Sequence, residues 1–144
     1  MLIGEYAHNL DSKKRLAIPS KLRGEMSNTV VVTKGLDDCL FVYPPKEWEK
    51  LAQKLGELPV GQAKTRSFLR ILLAGATETE LDALGRILIP DYLKAYAHLD
   101  KKAIIVGMYN RLEIWDEEHW QAYKESAEKN TGEIAEQLGE LGVY

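Results

Sequence analysis

Apolar residues in this chain fall into short runs separated by polar turns. From Glu5 to Leu10 the pattern alternates, with Tyr6, His8 and Leu10 on one face, which predicts a strand. Asp11 to Arg15 is polar and reads as a tight turn; Leu16-Ala17-Ile18 reads as a short apolar strand stopped by Pro19. Ser20 stands where a helix N-cap belongs, ahead of a short helix from Lys21 to Met26. Thr29 to Thr33 is β-branched throughout, which predicts a strand buried on both faces, and Cys39 to Tyr43 is a fourth strand. Trp48, Leu51 and Leu55 then recur at helical spacing. Gly56 to Gly61 is a linker, and Ala63 to Leu73 reads as a helix with Phe68, Leu69, Leu72 and Leu73 apolar.

The same pattern then starts again. Leu10-Asp11-Ser12-Lys13-Lys14-Arg15-Leu16-Ala17-Ile18-Pro19 matches Leu81-Asp82-Ala83-Leu84-Gly85-Arg86-Ile87-Leu88-Ile89-Pro90 at an offset of 71. Gly4 and Gly75, Leu22 and Leu93, and Arg23 and Lys94 follow at that offset; one inserted residue moves the register to 72, where Gly35 meets Gly107, Leu40 meets Leu112 and Trp48 meets Trp120. In the second copy Asp91 takes the capping position, Ala103 to Val106 and Leu112 to Trp115 are strands, and Asp116-Glu117-Glu118 favours a helix start. A last helix is expected from Glu125 to Leu141, with Ile134, Leu138 and Leu141 as its apolar stripe. The chain thus divides into a first repeat (1–55), a linker and connecting helix (56–74), a second repeat (75–127) and an acidic helical tail (128–144). One copy is too small to bury a good core and leaves open sheet edges. Two copies related by a pseudo-two-fold pair those edges. The expected fold is α+β, mainly β: a swapped-hairpin barrel with peripheral helices.

Composition narrows the function. At 144 residues, 45% hydrophobic and 28% charged, the chain suits a globular domain. No apolar run approaches the ~20 residues of a membrane span, and the first residues lack the features of a secretion signal, so a cytoplasmic location is expected. Cys39, the single cysteine, cannot form an internal disulfide and reads as a buried hydrophobe. Asp11 and Asp82 lack an aspartic-protease context, and His8, His98 and His119 lack metal-ligand spacing. No enzyme, cofactor or metal is expected. The net charge of −3 argues against nucleic acid, but its distribution does not. Residues 1–35 carry six Lys/Arg against three Asp/Glu, whereas residues 113–144 carry two against nine. Screening confines each patch to about 8–10 Å, so a local anion-binding face survives the global sign.

The candidate site is Asp11-x-x-x-Arg15 with its echo Asp82-x-x-x-Arg86. An aspartate at a turn start accepts backbone amides and fixes the loop shape. Lys13, Lys14 and Arg15 are thereby presented together, with Lys21 and Arg23 beyond. Arginine forks onto phosphate or the guanine edge, and lysine is a point charge for phosphate. The alternative is a structural turn in which Asp and Arg pair with each other beside solvated lysines. The first loop carries +2 and the second zero, which ranks the first as the stronger contact. Lys14 stands where the second copy has Gly85. A left-handed turn there strains Lys14 by roughly 1 kcal/mol, and a differently shaped turn does not.

These residues resemble the MraZ family of bacterial transcription regulators, whose gene heads the division and cell-wall cluster. The likeness rests on L-D-S-K-K-R-L-A-I-P, G-L-D-D-C-L-F-V-Y-P-P-K-E-W, L-L-A-G-A, L-D-A-L-G-R-I-L-I-P and L-E-I-W-D, which together span nearly the whole chain. The family is similar to AbrB-type (SpoVT-AbrB) DNA-binding domains, here with both halves in one chain. The resemblance implies a nucleoid-associated repressor of its own cluster, a ring-shaped homo-oligomer that binds repeated promoter elements in double-stranded DNA. Arg15 and Arg86 match the family's arginines and Lys13 its lysine, while Lys14 departs from the usual glycine. A single subunit that neutralises ~3 phosphates binds weakly; several on one rigid assembly gain ~10²–10⁴ in affinity. The other reading is an AbrB-type antitoxin or protein-interaction module acting through the acidic tail.

Overall fold

The computed structural model describes residues 1–143. The first repeat runs β1 (Leu2–Asn9), β2 (Arg15–Ala17), α1 (Ser20–Met26), β3 (Thr29–Lys34), β4 (Leu40–Tyr43), α2 (Pro45–Gly56) and α3 (Ala63–Ala74). The second repeats that order as β5 (Thr77–Glu80), β6 (Arg86–Leu88), α4 (Asp91–Tyr96), β7 (Lys102–Tyr109), β8 (Leu112–Asp116), α5 (Glu117–Lys129) and α6 (Thr131–Glu140).

The repeats are stitched together strand by strand. The large sheet is antiparallel, in the order β1-β7-β8-β4-β3-β5, and β2 pairs with β6 in a separate ribbon. Thus β1 pairs with β7 and β5 with β3, each first strand lying in the other repeat's hairpin. The pseudo-two-fold passes between β4 and β8 and between β2 and β6. No ladder joins β1 to β5 among the described residues; the β2–β6 ribbon lies across that opening, β2 beside β1 and β6 beside β5. The fold is α+β, with the pairing swapped between repeats.

Period-two alternation sorts the strand residues into two cores. Val30, Val32, Leu40, Val42, Ile105, Leu112 and Ile114 face inward and meet Leu16, Ile18, Ile87 and Ile89 from the ribbon side. Phe41, Tyr43, Ile104, Val106 and Trp115 face outward and are covered by Trp48 and Leu51 of α2 and Trp120 of α5. The β-branched runs are therefore buried on both faces. Gly107 permits this packing: a Cβ there would lie 2.5 Å from the Ile3 backbone nitrogen of the neighbouring strand.

Three local expectations change. Ser20 and Asp91 do not cap their helices; each is already in the first turn, and Pro19 and Pro90 hold the N-cap with extended backbone. The proline rings hold φ at −51° and −61°, ψ of 134° and 154° keeps both residues outside the helix, and the proline carbonyl accepts the first helical amide, from Leu22 and Leu93 respectively. The tail is two helices rather than one. Asn130 ends α5 and begins α6, and Thr131 Oγ1 turns back onto the carbonyls of Ala127 and Glu128, competing with the helical ladder. No residue of α6 is buried. No described helix is long and apolar enough to cross a membrane.

Candidate nucleic-acid interface

Two turns enter the ribbon, one at each end. In the first, Asp11 Oδ1 accepts the amides of Lys13 and Arg15 at 2.9 Å each, and Arg15 Nε donates to Asp11 Oδ2 at 2.7 Å. In the second, Asp82 Oδ1 accepts the amides of Leu84 and Arg86 at 2.9 Å each, and Arg86 Nε donates to Asp82 Oδ2 at 2.7 Å. The backbone repeats as well: Lys14 N donates to Asp11 O and Gly85 N to Asp82 O. Each turn is then locked to the opposite repeat, since Ile18 N donates to Gly85 O at 2.9 Å and Ile89 N to Lys14 O at 2.8 Å.

The ribbon decides where the arginines stand. Arg15 pairs with Leu88, Leu16 with Ile87 and Ala17 with Arg86. Leu16 and Ile87 point into the core, fully buried. Arg15, Ala17, Arg86 and Leu88 therefore share the outward face, where the two arginines are diagonal neighbours. Arg86 Nη1 also lies 3.9 Å from Asp11 Oδ2, so the second arginine faces carboxylates from both repeats. Sequence spacing treats the two motifs as separate; the ribbon register makes them one surface. Each guanidinium is held through Nε, which leaves its Nη groups for a second partner.

The lysines are treated differently. Lys13 is exposed at the first tip and has no ion-pair partner among the described residues, whereas Leu84 occupies that place in the second turn, also exposed. Lys14 Nζ lies 2.7 Å from Asp91 Oδ1 at the start of α4. That carboxylate offsets part of the first loop's positive surplus. Lys14 has φ 62° and Gly85 φ 75°, so both turns take the left-handed form. A Cβ on Gly85 would run into the Arg23 side chain, whose Nε donates to Ile18 O. Gly85→Ala is expected to lower the unfolding free energy by about 1–2 kcal/mol, from left-handed strain and a disturbed Arg23 bond. Lys14→Gly should change it by less than about 1 kcal/mol, because relieved strain offsets a lost exposed ion pair. Urea unfolding of the two variants tests the contrast; equal costs would contradict it.

Hydrogen bonds set the charge state of the braces. The Arg15 amide, then the Arg15 side chain and the Lys13 amide, hold the Asp11 carboxyl below its ordinary range; Arg86 and Leu84 do the same for Asp82. The Lys14 ammonium lowers Asp91 likewise. A depressed folded pKa contributes stability that is present above the unfolded value and is lost as pH falls through the folded one. Ordered turns should therefore persist at neutral pH and loosen below about pH 4. The Asp11→Asn/Asp82→Asn protein should lose part of that acid dependence. Amide exchange of Lys13 and Leu84 across pH 2–6 measures it, and identical profiles in the two proteins would refute the brace.

One side-chain cluster has no sequence signal. His98 and His119 stack with ring centroids 5.0 Å apart, and His119 Nδ1 lies 2.9 Å from Asp116 Oδ2. Among the described residues no group of three or more His, Cys, Asp or Glu is placed to hold a metal ion.

Taken together, these features define a class: a two-repeat, strand-swapped α+β domain with twin aspartate-braced turns on one ribbon. A family model described as "MraZ protein, putative antitoxin-like" matches the chain twice, over residues 1–71 and 72–140. A relative from Halothermothrix orenii, named transcriptional regulator MraZ, is 48% identical over 143 residues, covering 99% of this chain and 100% of its own. Proteins of the same name from Desulforamulus reducens (47% identical; 98% of this chain, 99% of the relative) and Caldicellulosiruptor saccharolyticus (48%; 99% and 100%) match as fully. The chain belongs to the MraZ family.

Proposed function

We propose that the chain is a transcription regulator that binds double-stranded DNA with the outward face of the β2–β6 ribbon. Lys13, Lys14, Arg15 and Arg86 are the contacting residues, and Asp11 and Asp82 hold the turns in shape. The observation that carries this reading is the adjacency of Arg15 and Arg86 on one exposed two-stranded ribbon, each oriented by its own aspartate. The major groove of B-DNA, about 12 Å wide, admits such a ribbon. The regulatory role is supported by the full-length relatives named as transcriptional regulators. By family resemblance the target is the repeated promoter element of the division and cell-wall cluster, the action is repression, and the working form is a nucleoid-associated homo-oligomeric ring. Weak single-subunit binding favours that multivalent form. A second reading, an antitoxin-like protein module, draws on the family description and on the acidic, unburied α6.

A salt titration of binding to the DNA upstream of the chain's own gene tests the proposal, with light scattering on the same samples. The slope of log K against log salt should be about −0.9 per neutralised phosphate. One subunit with ~3 contacts gives about −3, and an assembly a steeper value. No binding at low salt would move the reading to a protein partner.

A further inference from the structure

The outward face of the ribbon is not made of cations alone. Leu16 and Ile87 point into the core, so Ala17 and Leu88 stand outward with the two arginines. In the ladder Leu88 lies directly opposite Arg15, and Ala17 opposite Arg86. Arg86 and Leu88 are also alternate residues of β6 and share its face. An alkyl side chain therefore stands between two guanidiniums, with one across the ladder and one along the strand. Leu88 is 51% exposed and belongs to neither hydrophobic core. The tip of the same arm is apolar too, since exposed Leu84 stands where the first turn has Lys13.

The pseudo-two-fold exchanges Arg15 with Arg86 and Ala17 with Leu88. The arginines obey it, and the apolar position breaks it. Ala17 ends at Cβ, whereas Leu88 continues to Cγ and both Cδ carbons, so the apolar reach is greater on the Leu88 side. A leucine offers no charge or hydrogen bond to a phosphate, which is bound by cations and donors. Of the groups that base pairs present in the major groove, the nitrogens and oxygens suit arginine and lysine, and the C5-methyl of thymine suits an alkyl side chain. Ladder partners have Cβ atoms about 4.5–5.5 Å apart, and bases along one strand rise by about 3.4 Å. A group touched by Leu88 thus lies about one or two base pairs from the one that Arg15 contacts.

We infer that Leu88 is a specificity-determining residue of this face and packs on the C5-methyl of a thymine close to the base contacted by Arg15. The arginines supply affinity and fix the register on the duplex. Leu88 separates thymine from the bases that lack a methyl at its own position. The inference rests on the DNA-binding reading above and names one base feature that the same ribbon recognises. Removing one buried methyl corresponds to about 4-fold in affinity at each engaged subunit, and to about 15-fold across two.

Fluorescence anisotropy on the full-length chain tests it, with duplexes from upstream of the chain's own gene in which each thymine in turn is replaced by uracil. The replacement removes the methyl and keeps every hydrogen-bonding group of the base. The wild type should lose about 4-fold or more at one thymine of the bound element. Leu88→Ala should bind unmodified DNA more weakly by a similar factor and lose nothing further at that thymine. Leu88→Met, apolar and of similar size, should keep the methyl sensitivity, and Leu88→Asn, polar and of similar size, should lose it. Circular dichroism and light scattering check the fold and the mass of each variant. Should Leu88→Ala misfold, the methionine and asparagine variants carry the comparison. Wild-type binding indifferent to every replacement would overturn the inference and leave the DNA-binding reading intact. So would a Leu88→Ala protein that loses as much as the wild type at every thymine. A change of particle mass in the variants would place Leu88 between copies and overturn it as well. A wild type that binds no unmodified DNA at low salt would overturn both readings.

Discussion

Arg15→Ala is expected to weaken binding to the DNA upstream of the chain's own gene by about 10²-fold, and Arg86→Ala by less. An arginine fork on a base edge contributes about 1–3 kcal/mol. With two subunits engaged, a loss of ~1.4 kcal/mol at each compounds to ~10². The fold should tolerate the change, because Asp11 keeps its bond from the Lys13 amide and the lost ion pair is partly exposed. Two observations place Arg15 above Arg86. Lys13 stands beside Arg15, where the second turn has Leu84. Arg86 is held by Asp82 and also faces Asp11 at 3.9 Å, so more of its charge is already engaged. The pairing of Lys14 with Asp91 narrows the difference without reversing it. Fluorescence anisotropy at several salt concentrations, with circular dichroism as the folding control, measures the ranking. A larger loss for Arg86→Ala in folded protein would invert it, and no loss for either would place the DNA contact elsewhere.

Leu16→Ala is expected to cost about 2–5 kcal/mol of stability, a large share of the 5–15 kcal/mol typical of a domain. Leu16 is fully buried and paired in the ribbon with Ile87, also fully buried. The ribbon spans the opening between β1 and β5, so a hole beneath it has little means of collapsing. Leu88, 51% exposed on the opposite face of the same ribbon, should cost within about 0.5 kcal/mol when changed to alanine. Urea unfolding of the two variants separates the faces. A cost for Leu16→Ala below about 1 kcal/mol would mean that the ribbon does not close the core.

Much of the local structure was legible in the chain. The run Thr29 to Thr33 reads as a doubly buried strand, and Val30, Val31, Val32 and Thr33 are buried. The apolar spacing of Trp48 and Leu51 puts both against the outer core. The errors are local competitions that pattern does not resolve. A proline already in extended geometry took the N-cap from Ser20 and from Asp91, and a threonine hydroxyl turned onto the preceding carbonyls and broke the tail at Asn130. At the site, the motif spacing located both Asp–Arg pairs but carried no information on their relative placement. The shape of the first turn was open, because lysine is compatible with either hand at a modest cost; φ 62° at Lys14 settles it as the left-handed form of Gly85.

The sequence by itself determined the repeat, the order of elements within it and the residue types of the two turns. Those properties are local: period, turn chemistry and β-branching act over a few residues. Only the tertiary structure decided that first strands pair across repeats and that Arg15 and Arg86 share one face. It alone placed Asp91 against Lys14 and His98 on His119, and left α6 without a seat. Each of these is a contact between distant segments. It depends on which edge pairs with which and in what register, and a shift of one residue would have turned Arg15 inward and Leu16 out.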